Sequence, residues 1–168
     1  MLDDIAFMKE ALKEAQEAFQ AGEVPIGAVL VDAEGTVVAR AHNMRETWHD
    51  GTAHAEIIAL QEAARKLGRW RLSGLTLYVT IEPCPMCAGA LVMSRVDRVV
   101  YGATDAKAGA CESLFNIVRH PALNHQLEMR AGVMEDECRA IMKRFFGQRR
   151  KKSSALKKCT NQAFDAPE

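Results

Sequence analysis

The sequence has no long apolar run and no net charge, and its beginning does not resemble a secretory leader. Its first residues, MLDDIAFMKEAL, are acidic and patterned as a helix, without the basic region, apolar region and cleavage site of a signal peptide. No stretch approaches the roughly 18 apolar residues that a membrane span requires. We therefore expect a cytoplasmic protein, in a compartment where thiols stay reduced.

The 168 residues also contain no internal repeat, no low-complexity segment and no linker rich in proline, glycine or serine. The absence of repeats and linkers predicts one compact domain followed by a basic extension. A chain of this length can bury a core without disulfide bonds. The cysteines are then better explained as metal ligands or buried thiols than as disulfides. They are Cys84, Cys87, Cys111, Cys138 and Cys159.

The balance of 22 basic and 22 acidic residues conceals an uneven distribution of charge. Residues 143–168 carry a net charge of +6, so residues 1–142 carry −6. Such asymmetry suggests contact with a polyanion such as nucleic acid, although a basic end that is only solvated would look the same.

The stretch KRFFGQRRKK, residues 143–152, places two phenylalanines among six basic residues. Aromatic side chains stack on nucleic-acid bases and cations bind phosphates, so this stretch is a candidate for RNA contact. Burial in the core or in a dimer interface would explain the phenylalanines equally well. The candidate RNA-binding residues are Phe145, Phe146, Arg149, Arg150, Lys151 and Lys152.

The apolar pattern predicts the order helix, strand, strand, helix, strand, helix, strand, then a loop, a strand and a last helix. Asp3 and Thr52 are the predicted N-caps of the first two helices, and Pro85 is the predicted first residue of the third. The last helix is predicted over residues 135–146. This order is typical of an α/β sheet with helices on both faces. The first two strands should pair antiparallel, and the later strand-helix-strand unit should be parallel.

A C-x₂-C pair stands in PCPMC, residues 83–87, between a predicted strand and a predicted helix. The free N–H groups at a helix N-terminus stabilise negative charge and so favour thiolates. Three interpretations are open: a thioredoxin-like redox pair, a closed structural zinc site with four protein ligands, and a catalytic zinc site that keeps one position for water.

His54 and Glu56 stand two positions apart in TAHAEIIAL, at the start of the second predicted helix. Residues with this spacing point to different sides of a helix. Because Cα–Cβ bonds tilt towards the helix N-terminus, side chains of the first turn can still converge in front of it. His54 could then join the two cysteines around a metal while Glu56 reaches a water beside it. A core histidine and a surface glutamate are the alternative.

Together, H-A-E at residues 54–56 and P-C-P-M-C at residues 83–87 resemble the signature of zinc-dependent nucleoside and nucleobase deaminases. Longer stretches, among them LYVTIEPCPMCAGALVMSRV and RVVYGATDAKAGA, resemble bacterial tRNA-specific adenosine deaminases over most of residues 1–150. The resemblance implies a homodimer with a three-layer α/β/α cytidine-deaminase-like fold and a central mixed five-stranded sheet. It also implies that residues 1–150 form the deaminase domain and residues 151–168 a basic C-terminal extension.

The reaction implied by this resemblance is hydrolysis of adenosine to inosine at the wobble position of a tRNA anticodon, with release of ammonia. By motif, His54, Cys84 and Cys87 would bind one Zn²⁺ per chain, and Glu56 would be the catalytic proton carrier. The backbone N–H of Cys84 would help to hold the attacked purine and the developing charge. The implied partners are the tRNA anticodon stem-loop and a second copy of the chain.

Three further positions resemble family residues that contact the substrate. Asn43 in HNMRE resembles the residue that hydrogen-bonds the flipped-out base, and a turn asparagine is the alternative. Asp105 and Lys107 in TDAKAGA resemble a loop that meets the nucleotides flanking the target, and a solvated loop is the alternative. Between Asn43 and His54 the chain departs from the family's usual composition.

Two other functions compete with this interpretation. A deaminase of a free nucleobase or nucleotide, of the guanine or cytosine type, would share the metal motif. A non-catalytic RNA-binding module could keep zinc for stability, but a structural site gives Glu56 no task. The basic tail and TDAKAGA favour an RNA substrate.

Overall fold

The computed structural model describes residues 1–163, with side-chain detail as far as residue 157. Its strands are β1 (Gly27–Val31), β2 (Val37–His42), β3 (Thr76–Ile81), β4 (Arg98–Ala103) and β5 (Glu128–Arg130). Its helices are α1 (Asp4–Gln20), α2 (Arg45–Trp48), α3 (Ala55–Leu67), α4 (Pro85–Met93) and α5 (Glu135–Ala163). None of the helices in this described part is long and apolar enough to cross a membrane.

The five strands form one mixed sheet in the order β2-β1-β3-β4-β5. Strand β1 pairs antiparallel with both β2 and β3, whereas β3-β4 and β4-β5 are parallel. Helix α4 provides the crossover between the parallel strands β3 and β4. The predicted mixed five-stranded sheet is therefore confirmed.

The central strand β3 is buried along its whole length, because helices cover both faces of the sheet. Leu77 and Val79 pack in the cluster that contains residues of α3 and α4. Tyr78, between them, packs in the cluster that contains residues of α1 and α5. This alternation gives the predicted α/β/α layers.

Two glycines allow helices to approach the sheet closely. A Cβ at Gly27 would lie 2.0 Å from the backbone oxygen of Ala11, so a side chain there would force α1 away from β1. A Cβ at Gly102 would lie 2.3 Å from Cys138 Sγ, which belongs to α5. Close backbone approach of this kind is a common reason for glycine in a strand.

The predicted helix boundaries are correct at two ends and wrong at two others. Asp3 caps α1 by accepting a hydrogen bond from Ala6 N–H at 3.1 Å, and Pro85 is the first residue of α4. Thr52 does not cap α3: it bonds Asp50 in the preceding turn, and His54 occupies the N-cap position. The last helix continues far beyond residue 146, so the predicted boundary at residue 150 lies within α5. Residues 164–168 of the predicted extension lie outside the described residues.

The buried carboxylate of Asp4, the first residue of α1, joins this helix to strands β3, β4 and β5. Asp4 accepts two hydrogen bonds from Arg98, at 2.8 and 2.9 Å, and one from Arg130 at 2.5 Å. The hydroxyl of Tyr78 also donates to Asp4, at 2.8 Å. Burial opposes ionisation of this carboxyl, but the bonds from Arg98, Tyr78 and Arg130 prevail and lower the pKa of Asp4 to about 2.

Candidate active site

Two helix N-termini meet at one point near the middle of the sheet. His54 precedes α3 and Cys84 precedes α4, and both are N-cap residues with extended backbone. Pro85 then starts α4, leaving Cys87 buried in its first turn. The aligned peptide dipoles of both helices favour negative charge here, so the position suits thiolate ligands.

The side chains of His54, Cys84 and Cys87 form a cluster whose ligand atoms all lie within 4.8 Å of one another. His54 Nδ1 lies 3.6 Å from Cys84 Sγ and 3.5 Å from Cys87 Sγ. A tetrahedral zinc ion with ordinary Zn–S and Zn–N bonds would hold nitrogen and sulfur about 3.6 Å apart. The donor set and its spacing therefore fit a metal such as zinc, with three protein ligands among the side chains that the structure describes.

The hydrogen bonds of this cluster polarise its two thiols in opposite directions. The hydrogen bond from Cys87 lowers the pKa of Cys84 to about 4, even though burial opposes the thiolate. The bond to Cys84 and burial together raise the pKa of Cys87. The bond to Cys84 also raises the pKa of His54. Cys84 is thus ready to ligate a cation as a thiolate.

Glu56 lies in the first turn of α3, and only 4% of it is exposed. It lines a cavity of about 80 Å³ together with His54 and Asn43. Burial raises the pKa of Glu56, which brings a carboxyl closer to the range where it can both accept and donate protons. Since His54 is the N-cap and Glu56 lies inside the helix, both side chains reach the same cavity without sharing a helix face.

Asn43 follows β2 and is 4% exposed. Its side-chain oxygen accepts a hydrogen bond from Arg45 N–H at 3.3 Å, and its side-chain nitrogen donates to Val24 O at 3.4 Å. Arg45 lines the same cavity. The structure therefore brings Asn43, Glu56 and His54 to one cavity, and His54 in turn contacts Cys84 and Cys87.

Asp105 and Lys107 lie outside this cavity. They line a separate groove of about 340 Å³ with Phe146 and Arg139. The side chain of Asp105 accepts hydrogen bonds from the backbone of Lys107, at 2.9 Å, and of Ala108, at 3.2 Å. Lys107 is exposed. We call this the Lys107 groove.

The two phenylalanines of KRFFGQRRKK have different environments. Phe145 is 5% exposed and packs edge-to-face against Phe19, with ring centroids 5.6 Å apart. Phe146 is 38% exposed, so of the two it is the one with a ring face available to a partner. The four cations that follow are exposed on α5, and Arg149 lies over the ring of Phe145.

Three polar residues near the site carry no motif that would single them out in the sequence. Arg45 lines the cavity. Glu23 is fully buried and accepts hydrogen bonds from Thr47 N–H at 2.6 Å and Glu46 N–H at 3.2 Å, which anchors α2 beside the cavity. Glu82, directly before PCPMC, is 3% exposed. A lone glutamate is usually a surface residue, so only the fold reveals the burial of the two carboxylates.

Comparison with known proteins places this arrangement in a family. A model of the MafB19-like deaminases matches residues 2–150. The tRNA-specific adenosine deaminase of Bacillus subtilis is 53% identical over 158 residues, which cover 94% of this chain and 98% of the relative. The enzyme of the same name from Aquifex aeolicus is 46% identical over 140 residues, covering 83% of this chain and 91% of the relative.

Solved structures agree with these relatives. A structure from a study of A-to-I editing by tRNA:A34 deaminases at the wobble position is 46% identical to this chain, with a TM-score of 0.78. It covers 81% of this chain and is itself covered to 98%. The guanine deaminase of Bacillus subtilis is 35% identical, with a TM-score of 0.57, over 73% of this chain and 81% of its own. The chain therefore belongs to the MafB19-like deaminase family and, within it, to the tRNA-specific adenosine deaminases with their cytidine-deaminase-like fold.

Proposed function

We propose that this protein hydrolyses adenosine to inosine at the wobble position of a tRNA anticodon, with release of ammonia. One observation carries the chemistry: a buried glutamate shares a small cavity with an amide side chain and with the histidine of a His/Cys/Cys cluster. The identity of 53% to a relative named for tRNA adenosine supports the substrate. A tRNA substrate also supports a cytoplasmic location, where tRNA is used.

His54, Cys84 and Cys87 hold one Zn²⁺ per chain in this proposal. Their donor set is the one that zinc prefers, and their separations match a tetrahedral centre. When bound, zinc supplies the Lewis acidity that lowers the pKa of a water molecule from about 15.7 to about 7. Two thiolates offset the charge of the cation, so the site stays close to neutral.

Glu56 moves the protons of the reaction. Its carboxylate accepts one proton of the attacking water and gives it to a ring nitrogen. It then accepts the second proton of that water, from the hydroxyl now on the ring carbon, and gives it to the departing amine. The net change adds one water to adenosine and releases ammonia as inosine forms. The buried position of Glu56 keeps bulk water from competing for these protons.

Asn43 and the backbone N–H of Cys84 orient the purine. Asn43 is held in the cavity wall by its bonds to Arg45 and Val24, so its amide is fixed in direction before a base enters. Cys84 stands at the helix N-cap, where backbone N–H groups favour developing negative charge. A base within a stack cannot reach the groups that line this small cavity, so the target base has to be flipped out.

The flanking nucleotides meet the Lys107 groove and the basic stretch of α5. Lys107 and Arg139 supply positive charge in the groove, and Phe146 supplies an aromatic face. Residues 149–152 add four more exposed cations along the helix. In this view residues 1–150 form the deaminase domain, and the basic extension of residues 151–168 contributes electrostatic attraction to the anticodon stem-loop.

A second copy of the chain covers the outer face of α4. The sequence of this helix, PMCAGALVM, contains no charged residue, and a helix that is apolar all round is normally buried. Yet Met86 is 36% exposed and Met93 is 68% exposed. A homodimer through this face would bury both, and sedimentation of the wild type against Met93→Glu tests it: a stable dimer should become monomer.

In the decisive experiment, the purified protein is incubated with tRNA that carries adenosine at the wobble position and, separately, with free guanine, cytosine and adenosine. Formation of inosine in the tRNA, with ammonia, is the expected result. Turnover of free bases alone would overturn the proposal in favour of a nucleobase deaminase. The lower identity and TM-score of the guanine deaminase make that alternative the weaker one.

A further inference from the structure

Glu82 is a buried carboxylate that the proposed mechanism does not use. It lies between the end of β3 and Cys84, and only 3% of it is exposed. A buried charge is costly unless hydrogen bonds compensate it. Its hydrogen-bond partners therefore indicate what it does.

Within the described part of the chain, the hydrogen bonds of this carboxylate all come from one loop, residues 104–113, which follows β4. We call this segment the Glu82 loop. Oε1 accepts from the backbone N–H groups of Cys111 at 3.1 Å, Glu112 at 2.9 Å and Ser113 at 2.9 Å. Oε2 accepts from Asp105 N–H at 2.9 Å and from the Ser113 hydroxyl. Together, the two oxygens thus hold the loop near its beginning, at Asp105, and at its end, at residues 111–113.

Gly109 allows the Glu82 loop to close around the carboxylate. A Cβ at this position would lie 2.3 Å from Glu82 Oε2 and 2.5 Å from the backbone oxygen of Asp105. The next residue, Ala110, donates its N–H to Pro83 O at 2.8 Å. The loop is therefore fastened to the turn that carries the metal-binding cysteines, through both a side chain and the backbone.

We propose that Glu82 is a positioning residue that sets the place of Lys107 relative to the metal-binding turn. The path is short: Glu82 holds the backbone of Asp105, and the Asp105 side chain holds the backbone of Lys107. This inference rests on the proposed function, because that function gives Lys107 its contact with flanking nucleotides. Loss of the carboxylate should let Lys107 move while the metal ligands stay in place.

A double-mutant cycle on tRNA deamination tests the inference. Glu82→Gln keeps the size of the side chain but turns one acceptor into a donor that faces N–H groups. It should raise KM roughly tenfold, since small misplacements of binding groups have effects of this order or larger. The zinc content should remain near one per chain. Glu34→Gln, an exposed carboxylate in the β1-β2 turn, is the matched control and should change neither constant.

The decisive measurement is the coupling to Lys107. Lys107→Ala should raise KM severalfold in the wild type but less than about twofold in the Glu82→Gln protein, because the lysine is already displaced. Additive effects of the two substitutions on KM would overturn the inference and leave Glu82 a purely structural role. If Glu82→Gln does not fold, Ser113→Ala removes one of the five bonds and enters the same cycle. A wild type that fails to deaminate tRNA would instead refute the proposed function.

Discussion

The cavity around Glu56 and the Lys107 groove are built in different ways. The cavity measures about 80 Å³, and the two side chains proposed to act on the base and its protons, Asn43 and Glu56, are buried in its wall. The groove measures about 340 Å³ and presents exposed cations beside a half-exposed ring. The first arrangement fixes reacting groups in place, whereas the second attracts a flexible polyanion. Substitutions in the cavity should therefore change kcat, and substitutions around the groove should change KM and its salt dependence.

The largest expected effect comes from the cavity. Glu56→Ala should lower kcat by at least about a thousandfold, since general acid–base groups contribute roughly 10²–10⁴-fold and this one serves in both roles. Zinc should stay near one per chain, because Glu56 is not a ligand. Glu62→Ala, on the same helix but outside the cavity, is the matched control and should retain activity. Loss of zinc from Glu56→Ala would show that the role is assigned wrongly.

Substitutions of the two adjacent phenylalanines should distinguish a role in the core from a role in the groove. Phe145→Ala should lower the free energy of unfolding by about 3 kcal/mol, as is usual for a buried aromatic side chain. Phe146→Ala should change stability little but raise KM for tRNA, because a stacking ring is worth roughly 1–3 kcal/mol. Denaturant titration and steady-state kinetics on both variants distinguish the two outcomes. Equal effects of the two substitutions on stability would contradict the distinction.

Acid should lower the stability of the fold through Asp4, which lies outside both the cavity and the groove. The pKa of Asp4 is lowered from 3.8 to about 2 by its arginine and tyrosine partners, so its contribution is complete above pH 4. That contribution, roughly 2 kcal/mol, should be lost as the pH falls from about 4 to 2. In Asp4→Asn the free energy of unfolding should be lower at pH 7 and depend less on pH in this window. An unchanged acid dependence would show that other carboxyls control it.

The smallest effect per residue belongs to the basic end of α5. Replacing the four cations of residues 149–152 by glutamine should weaken tRNA binding about tenfold at physiological salt, with kcat unchanged. Each phosphate contact that is lost should reduce the slope of log affinity against log salt by roughly 0.7. An unchanged affinity and salt slope would remove these residues from the RNA-binding surface.

The chemistry could be predicted from the sequence because its residues lie in two short motifs at helix starts. The geometry of a helix N-terminus is local, so HAE and PCPMC already define which side chains can converge. The order of helices and strands along the chain follows from apolar periodicity in the same way. Long-range features could not be predicted. The contact of Glu82 with a loop that follows another strand, and the meeting of Lys107 with Phe146, depend on the packing of distant segments.

Errors at the helix boundaries also have physical causes. Thr52 is a good N-cap residue by type, but its hydroxyl is used in a turn with Asp50, and the N-cap lies two residues later at His54. The last helix lacks an apolar stripe beyond residue 146, so periodicity predicts an end there. Charged residues with good helix propensity continue it nonetheless.

Because α5 is one unbroken helix, the direction in which each of its basic side chains points depends on how many residues separate it from the packed part of the helix. Each helical residue advances the direction of a side chain by about 100° and its height by about 1.5 Å. One alanine inserted after Gly147 would keep the charge of the chain but rotate each of the following cations by about 100° around the helix axis. Seven inserted residues, close to two full turns, would return them almost to their original side. The direction in which each basic side chain points is thus set by its distance along the helix from the packed part of α5, so the number of residues between them matters as well as the charge.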